Sequence, residues 1–245
     1  MTRDELRDRL EFYQDLGIKQ LYRRTVAASS PALADGIARE DIVREELVVL
    51  PLTPVHDTLL KIVQDIGDCK RCRLHEGRNK IVFGTGIEQA KLVFVGEGPG
   101  ADEDEQGTPF VGRAGQLLTQ MIEGTAKKEG LDLLRKDVYI CNVVKCRPPE
   151  NRTPLPDEME ICGQFLCRQL ETIRPKAICA LGSTAAKALL ATKDGVMRLR
   201  GKWHKWRDIP LMVTYHPSYL LRPYNQNAKR EAWEDLKTVL HFVYD

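Results

Sequence analysis

Four of the seven cysteines in this chain have a spacing that suits metal chemistry. Cys69 and Cys72 form a C-x-x-C, Cys146 follows an apolar run, and Cys162 comes sixteen residues later. Four thiolates can bind zinc tetrahedrally or hold a 4Fe-4S cluster, because both take four cysteine ligands. Zinc ribbons usually repeat the C-x-x-C, and the second pair here does not, so the residues alone leave the metal open. Cys141, Cys167 and Cys179 sit in apolar patterns and are expected to be buried. An odd count with no export signal argues against a disulfide framework.

Three further motifs carry residues able to do chemistry. Gly96-Glu97-Gly98-Pro99-Gly100 directly follows an apolar run. It is not a dinucleotide fingerprint, since the third glycine is misplaced, a proline intervenes and four acids follow that would repel a pyrophosphate. Nor is it a P-loop, because no Gly-Lys-Ser/Thr follows. Thr108-Pro109-Phe110-Val111-Gly112 sets an aromatic between turn residues, either as a core plug or as a platform for a planar base. His216-Pro217-Ser218-Tyr219-Leu220-Leu221-Arg222 puts a histidine where a strand should end, with two leucines that could wedge into a base stack and an arginine beyond them.

The elements that must position these residues are legible from apolar patterning. Residues 91–96, 137–145, 176–182 and 210–216 are continuous apolar runs that suit strands buried on both faces. Helices are expected near 113–129, 157–173, 183–191 and 227–243. Strand–helix alternation predicts an α/β fold, a three-layer α/β/α arrangement around a mostly parallel four-stranded sheet. Ligands in such sheets bind outside the strands' carboxyl ends, which directs attention to 96–100, 142–151, 182–183 and 216–222. Residues 1–52 read as a helical appendage and 53–245 as the α/β domain. Thr53-Pro54 is expected to start a helix that stops at Gly67.

Composition excludes several classes. Hydrophobic residues make up 42% and charged residues 29%, with no run long enough to span a membrane and no leader, which predicts a cytoplasmic protein. A net charge of +2 does not announce a nucleic-acid binder, so the placement of charge matters more. The acidic tract 102–105 reads as a loop, while Arg198, Arg200, Lys202, Lys205, Arg207 and Arg222 form a late basic stretch suited to phosphates or to an ordinary solvated surface.

Taken together, GEGPGADEDEQGTPFVGRAGQLL, NVVKCRPPENRTP, IRPKAICALG and HPSYLLR, with the four cysteines, resemble the family 4 uracil-DNA glycosylases from about Asp68 to the C-terminus. The resemblance implies a 4Fe-4S cluster on Cys69, Cys72, Cys146 and Cys162. It implies a base pocket with Gly96 and Gly98 in its wall, Phe110 for stacking and Asn142 for the pairing edge of uracil. His216 would stabilise the departing uracil anion. The best-known relatives carry an aspartate at the position of Gly98, so the water-positioning role falls to Glu97, Glu103 or Asn151. Lys145, Arg147, Ser218, Tyr219, Leu220, Leu221 and Arg222 would meet the DNA.

The implied activity is monofunctional removal of uracil from single- or double-stranded DNA by base flipping, the opening step of base-excision repair. No lysine stands in these motifs as a Schiff-base nucleophile, so strand cleavage is not expected. One relative that cross-links to DNA carries an extra basic loop ending in histidine, which this chain lacks. A monomer is expected, with a protein partner conceivable for residues 1–50. The rival reading is a non-catalytic, metal-stapled nucleic-acid or polymerase-associated module.

Overall fold

The computed structural model describes residues 57–245. The appendage over 1–52, and Thr53 and Pro54, lie outside the described residues. The first described helix, α1 (Leu59–Ile66), is capped by Thr58, whose Oγ1 accepts the Lys61 N–H at 3.1 Å. It stops at Gly67, which takes φ 44°.

The order that follows is β1 (Thr85–Gly86), β2 (Leu92–Gly96), α2 (Ala101–Gln106), α3 (Arg113–Lys128), β3 (Tyr139–Asn142), α4 (Pro156–Ile173), β4 (Ala177–Leu181) and α5 (Ser183–Leu190). The chain closes with α6 (Val196–Leu199), β5 (Trp203–Trp206), β6 (Ile209–Thr214), α7 (Pro217–Leu220) and α8 (Gln226–Tyr244). The sheet has the order β1-β3-β2-β4-β6-β5. Its middle four strands are parallel and are the four expected from the apolar runs. The four-stranded expectation is nevertheless too small, since β1 and β5 add an antiparallel strand at each edge.

Strand alternation sorts the core into two layers. Val93, Val95, Cys141, Ile178, Ala180, Leu211 and Val213 face α1, α4 and α5. Leu92, Phe94, Ile140, Ala177, Cys179, Leu181 and Met212 face α3 and α8. Every residue of β2, β3 and β4 is buried, which is why these segments show no polar alternation. Each large apolar side chain so buried contributes about 1.5–3 kcal/mol.

The acidic tract is not a loop. It is α2, with Asp102, Glu103 and Asp104 in the first turn, where acids favour the positive helix end. Asp104 is fully buried and accepts the Asn79 and Lys80 backbone N–H groups and the Asn79 amide, pinning residues 79–80 against the helix. Among the described residues no helix is long and apolar enough to cross a membrane.

Candidate active site

The parallel register brings Asn142, the last residue of β3, opposite Gly96, the last of β2. A Cβ on Gly96 would lie 2.4 Å from Asn142 Oδ1 and 2.5 Å from Phe110 Cζ, so glycine is required for those side chains to converge. Gly96 therefore backs the site rather than lining it. The Asn142 side chain is buried, and its Oδ1 has no hydrogen-bond partner. An orphaned buried acceptor costs about 1–3 kcal/mol, a cost a ligand donor would relieve.

The backbone behind that side chain is tied down. Lys145 Nζ donates to the Asn142 carbonyl at 2.8 Å and to Gln169 Oε1 at 2.5 Å. Gln169 Nε2 in turn donates to the Phe83 carbonyl and approaches the Tyr139 hydroxyl, each at 3.0 Å. Lys145 is fully buried, and burial pushes its pKa down. The expectation that Lys145 meets DNA phosphate is thus overturned, because its ammonium is enclosed beneath the site.

His216 follows β6 and caps α7. Its Nδ1 accepts the Ser218 backbone N–H at 3.2 Å and lies 2.7 Å from Ser218 Oγ. A backbone N–H can only donate, so Nδ1 is unprotonated and the neutral ring carries its proton on Nε2. Desolvation by burial lowers the His216 pKa to about 4, in keeping with that tautomer. Gly182, at φ 90°, lets the ring approach, since a Cβ there would sit 2.9 Å from His216 Cβ. The ring centroids of His216 and Phe110 are 5.6 Å apart with a 37° tilt.

The candidate carboxylates differ sharply. Both Glu103 oxygens are held by backbone amides, Oε2 by Gly100 N–H at 3.0 Å and Oε1 by Val111 and Gly112 N–H at 2.9 Å each. These bonds lock the turn that carries Phe110 at φ 53°. Glu97 is half-buried, and its Oε2 accepts a short hydrogen bond from the Thr184 hydroxyl. Asn151 is exposed at φ 55°, and its Oδ1 accepts from Arg147 Nε–H at 2.8 Å. Glu97, Gly98, Glu103, Phe110, Asn142, Asn151 and His216 line one cavity of ≈ 320 Å³ at the strands' carboxyl ends.

Cys69, Cys72, Cys146 and Cys162 line a second, smaller and apolar cavity with Ile66, Ile81, Ile161 and Phe165. Hydrogen-bond donors point at its sulfurs: Lys145 N–H lies 3.2 Å from Cys162 Sγ and Arg78 Nη1 3.4 Å from Cys146 Sγ. Burial raises the pKa of the Cys72, Cys146 and Cys162 thiols, the last to about 11. Among the described residues no three His, Cys, Asp or Glu side chains form a single-ion site. Cys141 and Cys179 are buried and Cys167 half-buried, apart from this cavity.

The uracil DNA glycosylase superfamily model matches residues 83–237. The type-4 uracil-DNA glycosylase of Thermotoga maritima is 43% identical over 190 residues, covering 76% of this chain and 96% of the relative. Those of Archaeoglobus fulgidus and Sulfurisphaera tokodaii are each 42% identical over 191 residues, covering 75% of this chain and 92% and 84% of theirs. The chain belongs to the type-4 uracil-DNA glycosylases.

In this type-4 chain the remaining expected DNA contacts separate into two groups. Arg147 is half-buried and bonds Asn151 of the cavity wall, and Tyr219 and Arg222 are exposed on and after α7. Ser218 is exposed but engaged with His216, and Leu220 is 1% exposed, packed with Tyr215, Ala228 and Ala232. Leu220 therefore cannot be half of a leucine wedge. One helical turn sends it inward and leaves Leu221 half-exposed.

Half of the late basic stretch is neutralised. Arg198 pairs with Asp194, Arg200 with Asp235 and Arg207 with Glu171. Site residues to which sequence reasoning gave no role include Arg152, and Ser183 and Pro99 at the strand ends, in the cavity wall, and Gln169 behind Asn142. Arg152 is itself anchored to buried Glu158 by two bonds of 2.9 and 2.7 Å. Its signal was present in the NRTP motif, but nothing in the motif distinguishes the arginine from its neighbours.

Proposed function

We propose that this chain removes uracil from DNA by flipping the nucleotide into the Asn142–Phe110–His216 cavity and hydrolysing its N-glycosidic bond. The observation that carries the reading is the orphaned, buried Asn142 Oδ1 facing a neutral histidine across one small cavity. The Asn142 amide offers an acceptor for uracil N3–H and a donor for O4, while Phe110 gives the ring a stacking surface. Cytosine would present a donor where uracil presents O4, leaving buried groups mismatched.

Bond cleavage builds positive character on the sugar and negative charge on uracil O2. The His216 Nε2–H is a preorganised neutral donor for that anion, and donors of this kind are worth ~3–4 kcal/mol in the transition state. Water then attacks the sugar carbon. Glu97 is the better candidate to orient it, because Thr184 holds one oxygen and leaves the other for the cavity. Glu103, saturated by three amides, positions Phe110 instead. The Asn151 amide nitrogen stands at the cavity rim as a further polar contact for the sugar or water.

Arg147, Tyr219, Leu221 and Arg222 meet the DNA around the flipped nucleotide. Cys69, Cys72, Cys146 and Cys162 are the residues that would hold a 4Fe-4S cluster. Their shared apolar cavity and the donors aimed at sulfur favour bound thiolates, which burial alone would disfavour. Bound there, the cluster supplies a cross-link under the loop that presents Arg147 and Asn151. The enzyme works as a monomer within base-excision repair, with a protein partner proposed for residues 1–50. The deciding experiment is release of free uracil from a defined oligonucleotide by anaerobically purified protein. Release with no strand scission is expected, and absence of release from both single and double strands would overturn the reading.

A further inference from the structure

A second groove of ≈ 780 Å³ adjoins the base cavity and shares Gly182, Ser183 and His216 with it. Two of its lining residues do little for the fold. Met197 is 74% exposed on α6, and Tyr219 is 39% exposed on α7. An exposed thioether and an exposed ring contribute almost nothing to a core, yet both are soft, apolar surfaces for a flat molecule.

The aromatic side of the groove is also rigid. Tyr219 stacks on Tyr215 with centroids 5.4 Å apart and 17° between planes. Tyr215 is held by Glu231, to which its hydroxyl donates at 2.7 Å, and by the Arg200 guanidinium 5.5 Å from its ring centroid. Its hydroxyl oxygen touches Met197 Sδ at 3.0 Å, setting the thioether against the column. The Arg222 guanidinium lies over the Tyr219 ring, 5.8 Å from its centroid, and the exposed Lys193 also lines the groove. The result is a held aromatic surface with cations beside it, which matches a nucleobase and its flanking phosphates.

We propose that this groove holds the nucleobase adjoining the excised uracil, against Tyr219 and Met197. The proposal rests on the uracil-excision reading. Continuity through Gly182, Ser183 and His216 makes the next nucleotide of the same strand the natural occupant, since a strand delivering one base to the cavity must pass this wall. It follows that the enzyme senses whether the base on one side of uracil is present.

The test uses the full chain and two single-stranded oligonucleotides carrying 2-aminopurine on the 5′ or the 3′ side of a tetrahydrofuran abasic site. Stacking should quench the fluorophore on one side only, and Met197→Asp and Tyr219→Ala should abolish the quench. In turnover, replacing the sensed neighbour of uracil by tetrahydrofuran should lower kcat/KM by roughly 5- to 150-fold, mostly through KM, as expected for one base–aromatic stack. Met197 is too exposed for its substitution to unfold the protein, so that variant stands if Tyr219→Ala does not fold. Normal uracil release with no one-sided quench, or with a quench that Met197→Asp leaves intact, overturns the groove. Quenching without uracil release from any oligonucleotide would instead overturn the excision reading and leave the stacking site standing.

Discussion

The two cavities at the carboxyl end of the sheet are built from opposite principles. The base cavity keeps polar atoms waiting: Asn142 Oδ1 is buried and unpaired, and His216 Nε2–H has no acceptor among the described residues. The cysteine cavity keeps sulfur supplied, with a backbone amide and a guanidinium already aimed at it, inside an apolar wall. Residues 142–146 join the two, since Lys145 bonds the Asn142 carbonyl through its ammonium and Cys162 through its amide. Unsatisfied groups mark a site that exchanges its ligand, and satisfied ones mark a site that keeps it.

That contrast can be broken first at the histidine. His216→Ala should lower kcat by about 10²–10³-fold, with a much smaller effect on KM, because the donor acts on charge that develops only during cleavage. Single-turnover rates would check it. The same residue sets a pH expectation. Its folded pKa, about 4, lies below the usual 6.5, so the unfolded chain binds the extra proton between those values. The stability owed to the neutral ring is whole above pH 6.5 and is lost as pH falls through 4. An imidazole signal for His216 that titrates near 6.5 by NMR would contradict the lowered pKa and the pH window it sets.

On the cysteine side, Cys146→Ala should take iron from about four atoms per chain to near none and lower stability at the same time, since metal binding is coupled to folding. Iron analysis and thermal melts of anaerobic protein check both. Stoichiometric zinc with no iron in the parent chain would end the cluster assignment. The smallest effect is expected at the rim. Arg222→Ala should weaken binding across all sequences and reduce the slope of log K against log salt by roughly one phosphate contact. An unchanged slope would remove Arg222 from the DNA.

The parts of this architecture that sequence patterning reveals are those where the period is strong. The four parallel strands and α3, α4, α5 and α8 stand within a residue or a few of their expected spans, because unbroken apolar runs and a helical apolar stripe have few other solutions. Edge strands β1 and β5 escape that logic. One is two residues long, and the other, Trp203-His204-Lys205-Trp206, does not alternate. Helix α2 was hidden because its residues are nearly all acidic and carry no apolar period. Its only sequence mark is Gly100 three residues before Glu103, a capping arrangement easily taken for loop chemistry.

Within the site, residue types pointed to Asn142, Phe110 and His216, and the fold brings them to one cavity. They could not tell Glu97 from Glu103, whose difference lies in which hydrogen bonds each carboxylate has already made. Lys145 was misplaced for a related reason. Lysines are rarely fully buried, and only the Gln169 and Asn142 partners make this one tolerable. Leu220 and Leu221 look equivalent in sequence and are separated only by the turn of α7.

Asn142→Asp tests most directly whether the Asn142 amide reads uracil. The aspartate removes the donor to uracil O4 and offers an acceptor to the cytosine amino group, with its protonated fraction able to meet cytosine N3. Mismatched buried groups of this kind separate analogues by ~10⁴ or more. Paired single-turnover time courses on uracil and cytosine oligonucleotides should show a large loss on uracil and a small activity gained on cytosine. A variant that keeps the parent's rate and selectivity on uracil would show that Asn142 is not the reader, and the cavity would lose its assignment with it.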